Sequence, residues 1–279
     1  MVVKDVKDFI EKSVDNTAIK KHIHYYVDDD EIKEYCLDSM LNYDYMVKVF
    51  DEILSRDKYL NELNKDTKKY YNIVPKLAEK KYIGETLPVP YSFDGNNPKE
   101  IKFSTKETYR DFIAYAHLKG SMMYNLISRA SAKSHFRETD LDEKYLARVM
   151  PIFIETMVLS ELKDSNMMKY MNTLRAKRAI NFSIIDTALR TEIDHFDIDS
   201  LRKVVKSHPE VQGKYFDAFF REIEMGHDPV LDSFIDLTAQ GYAERMYSNK
   251  HYKKDIDKLI FTPNITQFDY ELDGFKFKK

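Results

Sequence analysis

The sequence predicts a mainly α-helical protein, a multi-helix bundle with an internal β-hairpin or extended loop and a further β-hairpin at the C-terminus. Only seven glycines and eight prolines occur among the 279 residues, so loops are short and most residues belong to regular elements. Apolar residues recur three or four positions apart along most of the chain, which is the spacing of one helix face. Residues 85–104 and 262–279 depart from this spacing, and extended structure is expected there.

Residues 1–84 are predicted to form N-terminal helical hairpins. Apolar residues at helical spacing indicate two short helices, and the acidic run Asp28–Glu31 suits the start of a third, because carboxylates cap free backbone amides. After Asn42 the pattern resumes and then weakens toward a lysine-rich connector. Its apolar positions are Met46, Val49, Phe50, Ile53, Leu54, Leu60 and Leu63.

Residues 85–104 are predicted to be a hairpin or extended insert. Pro88 and Pro90 exclude a helix, and Asp94-Gly95 supplies turn residues between two extended runs. This insert is the only domain boundary that the sequence suggests.

Residues 105–261 are predicted to form the main helical bundle. Ser104 stands three residues before Glu107, a capping-box pattern that would open a long helix. Pro151 predicts a kink or break in the next helix, which begins near Asp140. Further helices are expected over 166–193 and near 201–205, and prolines open two more, at Pro209 and Pro229.

The C-terminal segment, residues 262–279, has the pattern of a terminal hairpin. Aromatic and aliphatic residues alternate on both sides of Asp273-Gly274, which suits a tight turn. An exposed hairpin of this kind can add to the sheet of a neighbouring protein. The alternative is that it folds back on its own bundle. The residues predicted to make protein contacts are Phe268, Tyr270, Leu272, Phe275 and Phe277.

Composition excludes several functional classes. The net charge is −3, so the molecule as a whole has no attraction for nucleic acid or for an anionic membrane. No apolar run reaches the roughly 18 residues that cross a bilayer, and the N-terminus carries charges where a signal peptide is apolar. We therefore expect no membrane partner and a protein that is cytoplasmic when made. The single cysteine, Cys36, excludes an internal disulfide framework.

A Glu-x-x-His pattern occurs twice, at Glu192–His195 and Glu224–His227, and raises the question of a di-metal carboxylate site. The second pair spans the joint at Gly226 to Pro229, so its two side chains need not share a helix face. Only about thirty residues separate the two motifs, too few for the intervening ligand helix. Glu155 and Glu161 are candidate extra ligands, but such candidates are common in a chain with 47 acidic residues. We expect no metal and no cofactor, and a helical-bundle metalloenzyme is the second alternative.

Nucleic-acid binding is the first alternative. Lysines and tyrosines are interleaved between residues 65 and 81, where they are able to contact phosphates and stack on bases. Asp66 and Glu79 interrupt this run, as on an ordinary solvated face. The residues concerned are Lys65, Lys68, Lys69, Tyr70, Tyr71, Lys76, Lys80 and Lys81.

A non-enzymatic structural or assembly protein is the leading functional hypothesis. The sequence contains neither a nucleophile motif nor a phosphate-binding glycine motif, and His117 lacks a partner at a recognisable spacing. The two hairpin-like segments suit contacts with protein partners or with a second copy. The 20 tyrosines and 17 phenylalanines, with no tryptophan, are associated with AT-rich genomes such as those of many tailed phages and low-GC bacteria. The most concrete form of the hypothesis is therefore a phage virion component, for example a helical head-to-tail connector subunit, although no motif identifies such a family.

Overall fold

The computed structural model describes the following residues: 14–15, 42–77, 98–105, 107–130, 140–163, 229–261, 271–272 and 275–277. This part of the chain is mostly helical and includes a small two-stranded parallel sheet, which confirms the mainly α class. The helices expected before residue 42 and between residues 166 and 223 lie outside the described residues.

Helices α1 (Tyr43–Ser55) and α2 (Lys58–Tyr70) form a hairpin. The Asn42 side chain caps α1 by accepting from the amides of Asp44 and Tyr45 at 3.0 and 3.3 Å. Asp57 caps α2 through the amide of Leu60 at 2.9 Å. The predicted apolar face of α1 is confirmed, since it buries Met46, Phe50, Ile53 and Leu54.

The lysine-rich connector expected after Leu63 is wrong, because α2 continues to Tyr70 and is followed at once by strand β2 (Tyr71–Leu77). Strand β3 (Lys99–Thr105) pairs with β2 in parallel, from Tyr71 opposite Lys99 to Leu77 opposite Thr105. Residues 85–97 lie outside the described residues, so the hairpin or extended insert expected over 85–104 stays a prediction beyond the extended conformation of β3. Parallel strands run in the same direction and need a long connection, and the chain between β2 and β3 spans residues 78–98.

Helix α3 (Tyr109–Ala130) begins at a cap that differs from the predicted one. Ser104 belongs to β3, so it is not the N-cap residue of α3. The box is formed one turn later: the amide of Thr108 donates to the Asp111 carboxylate at 3.1 Å, and the amide of Asp111 donates to the Thr108 hydroxyl at 3.4 Å. Glu107 instead accepts from the amide of Tyr43 at 3.0 Å, which ties the start of α3 to the start of α1.

Helix α4 (Asp140–Leu162) continues through Pro151, so the predicted kink or break does not end the helix there. The helix is held there by close packing on α3. A Cβ atom built on Gly120 of α3 would lie 2.5 Å from the Cα atom of Pro151, a separation that only glycine permits. Residues 149–159 of α4 are all buried, and this burial outweighs the one backbone hydrogen bond that proline lacks.

Helix α5 (Pro229–Asn249) begins at Pro229 as predicted and packs along α4. Helix α6 (Tyr252–Phe261) follows and contacts α2, α4 and α5. The Tyr242 hydroxyl of α5 donates to the carbonyl of Asp255 at 2.8 Å, and the ring of Tyr252 lies 5.2 Å from that of Phe153. The helix predicted to carry Tyr242 and Met246 on its apolar face is confirmed, because both residues are buried.

An aromatic cluster joins elements on both sides of the insert. Tyr115 of α3 makes edge-on contacts with Tyr43, Phe50 and Phe103 at centroid distances of 5.9, 5.3 and 5.9 Å. Burial is the main reason that the pKa of Tyr115 lies far above its usual range. The neighbouring Tyr43 and Asp51 raise this pKa as well. Helix α1, strand β3 and helix α3 thus share one apolar core.

Three short strands form a separate sheet in the order β1-β5-β4. Strand β4 (Glu271–Leu272) pairs antiparallel with β5 (Phe275–Phe277), and β5 also pairs with β1 (Val14–Asp15). Leu272 stands opposite Phe275, so Asp273-Gly274 connects the two strands.

Candidate functional site

The C-terminal residues predicted to make protein contacts fall into two groups. Leu272, Phe275 and Phe277 lie in the β1-β5-β4 sheet, whereas Phe268 and Tyr270 lie outside the described residues. Phe277 stands opposite Val14 in the ladder between β5 and β1. Strand β4 also lies beside helix α5. The segment therefore has neighbours within its own chain, both at the N-terminus and on the helical body.

Two of the residues predicted to bind nucleic acid are turned toward the protein interior. Tyr71 is only 4% exposed and packs with Ile101, Met122 and Leu126, so its ring is not accessible to a base. Tyr70 packs partly against the same cluster. Lys76 is exposed on β2, and Lys80 and Lys81 lie outside the described residues.

The lysines of α2 divide between ion pairs and solvent. Lys68 donates to Asp51 of α1 at 2.6 Å, and Lys69 donates to Asp66 at 2.6 Å. The hydrogen bond with Asp66 raises the pKa of Lys69. Lys65 is exposed. The structure thus leaves Lys65 and Lys69 on the outside of α2 and draws Lys68 toward α1.

A buried polar cluster links α1, α2 and α3, and its centre is Lys119, which is only 2% exposed. The Lys119 ammonium donates to the hydroxyl of Thr67, and that hydroxyl donates to the carbonyl of Asn64 at 2.7 Å. The Asn64 side-chain amide donates to Asp51 at 2.7 Å. Burial, and to a smaller extent the nearby Lys68, lower the pKa of Lys119 to about 7 against the opposing effect of Asp51.

An amine with a pKa near 7 has the proton affinity of a general base or a nucleophile. Lys119, however, is enclosed by protein, and a base must come within hydrogen-bond reach of its substrate. In this conformation the cluster therefore acts as a polar link between helices. Sequence reasoning missed it, although one signal was present: Lys119 occupies a core position on a face whose other members are Phe112, Ala116, Met123 and Leu126.

His117 has a partner that the sequence spacing did not reveal. Its Nδ1 atom lies 2.5 Å from the carboxylate of Glu155, which is buried on α4. The second carboxylate considered as a metal ligand, Glu161, accepts from Arg56 at 2.5 Å and from the Tyr247 hydroxyl at 2.9 Å. Both glutamates thus join helices across the bundle.

No group of three or more metal-ligating side chains occurs within the described residues. The two Glu-x-x-His pairs, Glu192–His195 and Glu224–His227, lie outside them, so the expectation that they share no metal stays a prediction.

Within the described ranges, every helix is too short or too polar to span a bilayer. Comparison of the chain with protein-family models, with curated proteins and with solved structures finds no match.

Proposed function

We propose that this protein is a non-enzymatic assembly protein that acts through contacts with protein partners or with a second copy of itself. The observation that supports the proposal is the β1-β5-β4 sheet, whose strands are two or three residues long. In the described part of the chain, β1 and β4 are each paired along one side only. Their other edges present backbone donors and acceptors that suit a strand from a neighbour.

The size of the sheet gives the physical reason for a partner. Sheets with so few paired residues are marginal in water unless further strands or an apolar surface complete them. Helix α5 is one neighbour of β4. A neighbouring strand beside β4 or β1 supplies the rest, at edges that are unpaired within the described residues. The amino-acid usage of the chain makes a virion subunit of the connector type the specific form of this proposal.

The test is deletion of residues 268–279 from the full chain, with deletion of Lys278 and Lys279 alone as the matched control. Light scattering after size exclusion measures assembly, and circular dichroism measures helix content and the melting temperature. We expect the longer deletion to abolish assembly while the melting temperature changes by less than about 3 °C. We expect the control to assemble like the full chain.

The opposite pattern refutes the proposal. If the longer deletion lowers the melting temperature strongly and the folded remainder assembles as before, the hairpin serves only its own bundle. The contact between β4 and α5 is the feature that would then explain the loss of stability.

A further inference from the structure

Helices α2 and α6 lie side by side although almost two hundred residues separate them in the chain. The Lys253 ammonium lies 5.9 Å from the centre of the Tyr59 ring. Burial and the nearby Asp257 carboxylate raise the pKa of Tyr59 to about 12. Tyr59 on α2 and Lys253 with Asp257 on α6 therefore mark the seam between the two helices.

The exposed faces of α2 and α6 lie on the same side of the molecule. Successive residues of an α-helix advance by about 100°. On α2 the seam residue Tyr59 lies about a quarter turn from the buried face, which carries Leu60, Asn64 and Thr67. On α6 the seam residues also lie about a quarter turn from the buried face, which carries Tyr252, Ile256, Leu259 and Ile260. Two helices joined in this way form one layer on the core.

Lysines occupy the outer side of this layer, which we call the α2–α6 surface. Lys58, Lys65 and Lys69 are seven and four positions apart, so they line up along the exposed stripe of α2. Lys254 and Lys258 are four apart on the exposed stripe of α6. Lys253 lies at the seam, where it is exposed.

The α2–α6 surface carries fewer acidic groups than lysines. Asp66 pairs with Lys69 at 2.6 Å, and Asp257 pairs with Lys253 at 3.0 Å. Glu62 is exposed on the stripe of α2. Asp255 lies on the flank of α6 away from α2, where burial raises its pKa and the charge of Lys258 partly offsets this effect. The surface is thus locally positive on a chain whose net charge is −3.

We propose that the α2–α6 surface binds the phosphate backbone of nucleic acid. Lysine is a point charge that suits phosphate oxygens, whereas the arginine fork that reads guanine edges is absent from the described residues of α2 and α6. Binding is therefore electrostatic and independent of base sequence. Of the residues that the sequence predicted to bind nucleic acid, Lys65 and Lys69 belong to this surface, whereas Tyr71 is buried. The lysines of α6 were not predicted, because only the fold places them beside α2.

The test uses the full chain and a fluorescein-labelled DNA duplex of about 25 base pairs in about 50 mM salt, with fluorescence anisotropy as the readout. The variant Lys65→Glu with Lys254→Glu reverses one charge on each helix. The matched control, Lys76→Glu with Lys102→Glu, makes the same net change at exposed positions of β2 and β3. All four lysines are exposed, so both double variants should keep the melting temperature. If the first one does not, Lys65→Gln with Lys254→Gln replaces it.

We expect the α2–α6 variant to bind at least about tenfold more weakly and the control to bind within about threefold of the original chain. The affinity should fall as the salt concentration rises. For each phosphate that the protein contacts, a tenfold rise in salt should lower the affinity about tenfold. The inference is overturned by absence of binding at low salt, by equal weakening in both double variants, or by binding to phosphatidylserine vesicles without binding to DNA. Deleting residues 268–279 should leave DNA binding unchanged, which separates this inference from the assembly proposal.

Discussion

Replacing the buried Lys119 with methionine is expected to stabilise the protein, by an amount that depends on pH. The pKa of Lys119 is about 7 in the folded chain, against an ordinary value of 10.5. Between these two values the unfolded chain binds a proton that the folded chain does not bind. The free energy of unfolding of the original chain therefore rises with pH across this window and is lowest below pH 7. Methionine fills the space of the lysine stem and carries no charge to bury.

The shift sets the magnitude of the effect. The difference between the folded and unfolded pKa values lowers the free energy of unfolding by about 4 kcal/mol at pH 7 and by about 2 kcal/mol at pH 9, relative to a lysine whose pKa does not change on folding. The Thr67 hydroxyl loses the lysine as a donor but keeps its own bond to the carbonyl of Asn64. We therefore expect Lys119→Met to have the larger free energy of unfolding, with a margin that shrinks as pH rises.

Urea unfolding followed by circular dichroism at several pH values between 7 and 9 measures the margin. Lys65→Met is the matched control, because Lys65 is exposed and its replacement should leave the pH dependence unchanged. A margin that stays constant over this range, or a variant that is less stable than the original chain at pH 7, would refute the reasoning. Either result would mean that Lys119 keeps its proton in the folded state or that its bond to Thr67 outweighs the cost of burial.

Two further predictions concern helix packing and metal binding. Gly120→Ala should destabilise the chain by about 2 kcal/mol or more in urea unfolding, because the new Cβ atom meets the backbone of Pro151 at 2.5 Å. The control variant Ala114→Ser, at an exposed position of α3, should have little effect. The purified chain should contain no stoichiometric iron, manganese or zinc by elemental analysis; metal that is present in the original chain and lost in His195→Ala would contradict this.

Elements with strong local patterns were predictable from the sequence. Asn42 caps α1, the spacing of Met46, Phe50 and Ile53 marks its buried face, and Pro229 opens α5. These features depend on side-chain periodicity and on hydrogen bonds to the nearest backbone amides, so a short window of sequence contains them. The two-residue connection between Leu272 and Phe275 is local in the same sense, since the turn chemistry of Asp273-Gly274 suits it.

Features that depend on distant partners were not predictable. No local signal indicated that β3 pairs in parallel with β2, on the far side of the insert. Local signals describe a strand, whereas its partner depends on which apolar faces the whole chain buries together. The capping box moved from Ser104 to Thr108 for the same reason, because pairing with β2 holds Ser104 in an extended conformation.

By itself, the sequence determined that this protein is mainly helical and which face of several helices is buried. The tertiary structure alone decided which polar groups meet. It brought Lys119 to Thr67, His117 to Glu155, and the lysines of α6 beside those of α2. The physical reason is that helix periodicity is a property of neighbouring residues, whereas a buried ion or a charged surface depends on groups that packing brings together from remote parts of the chain.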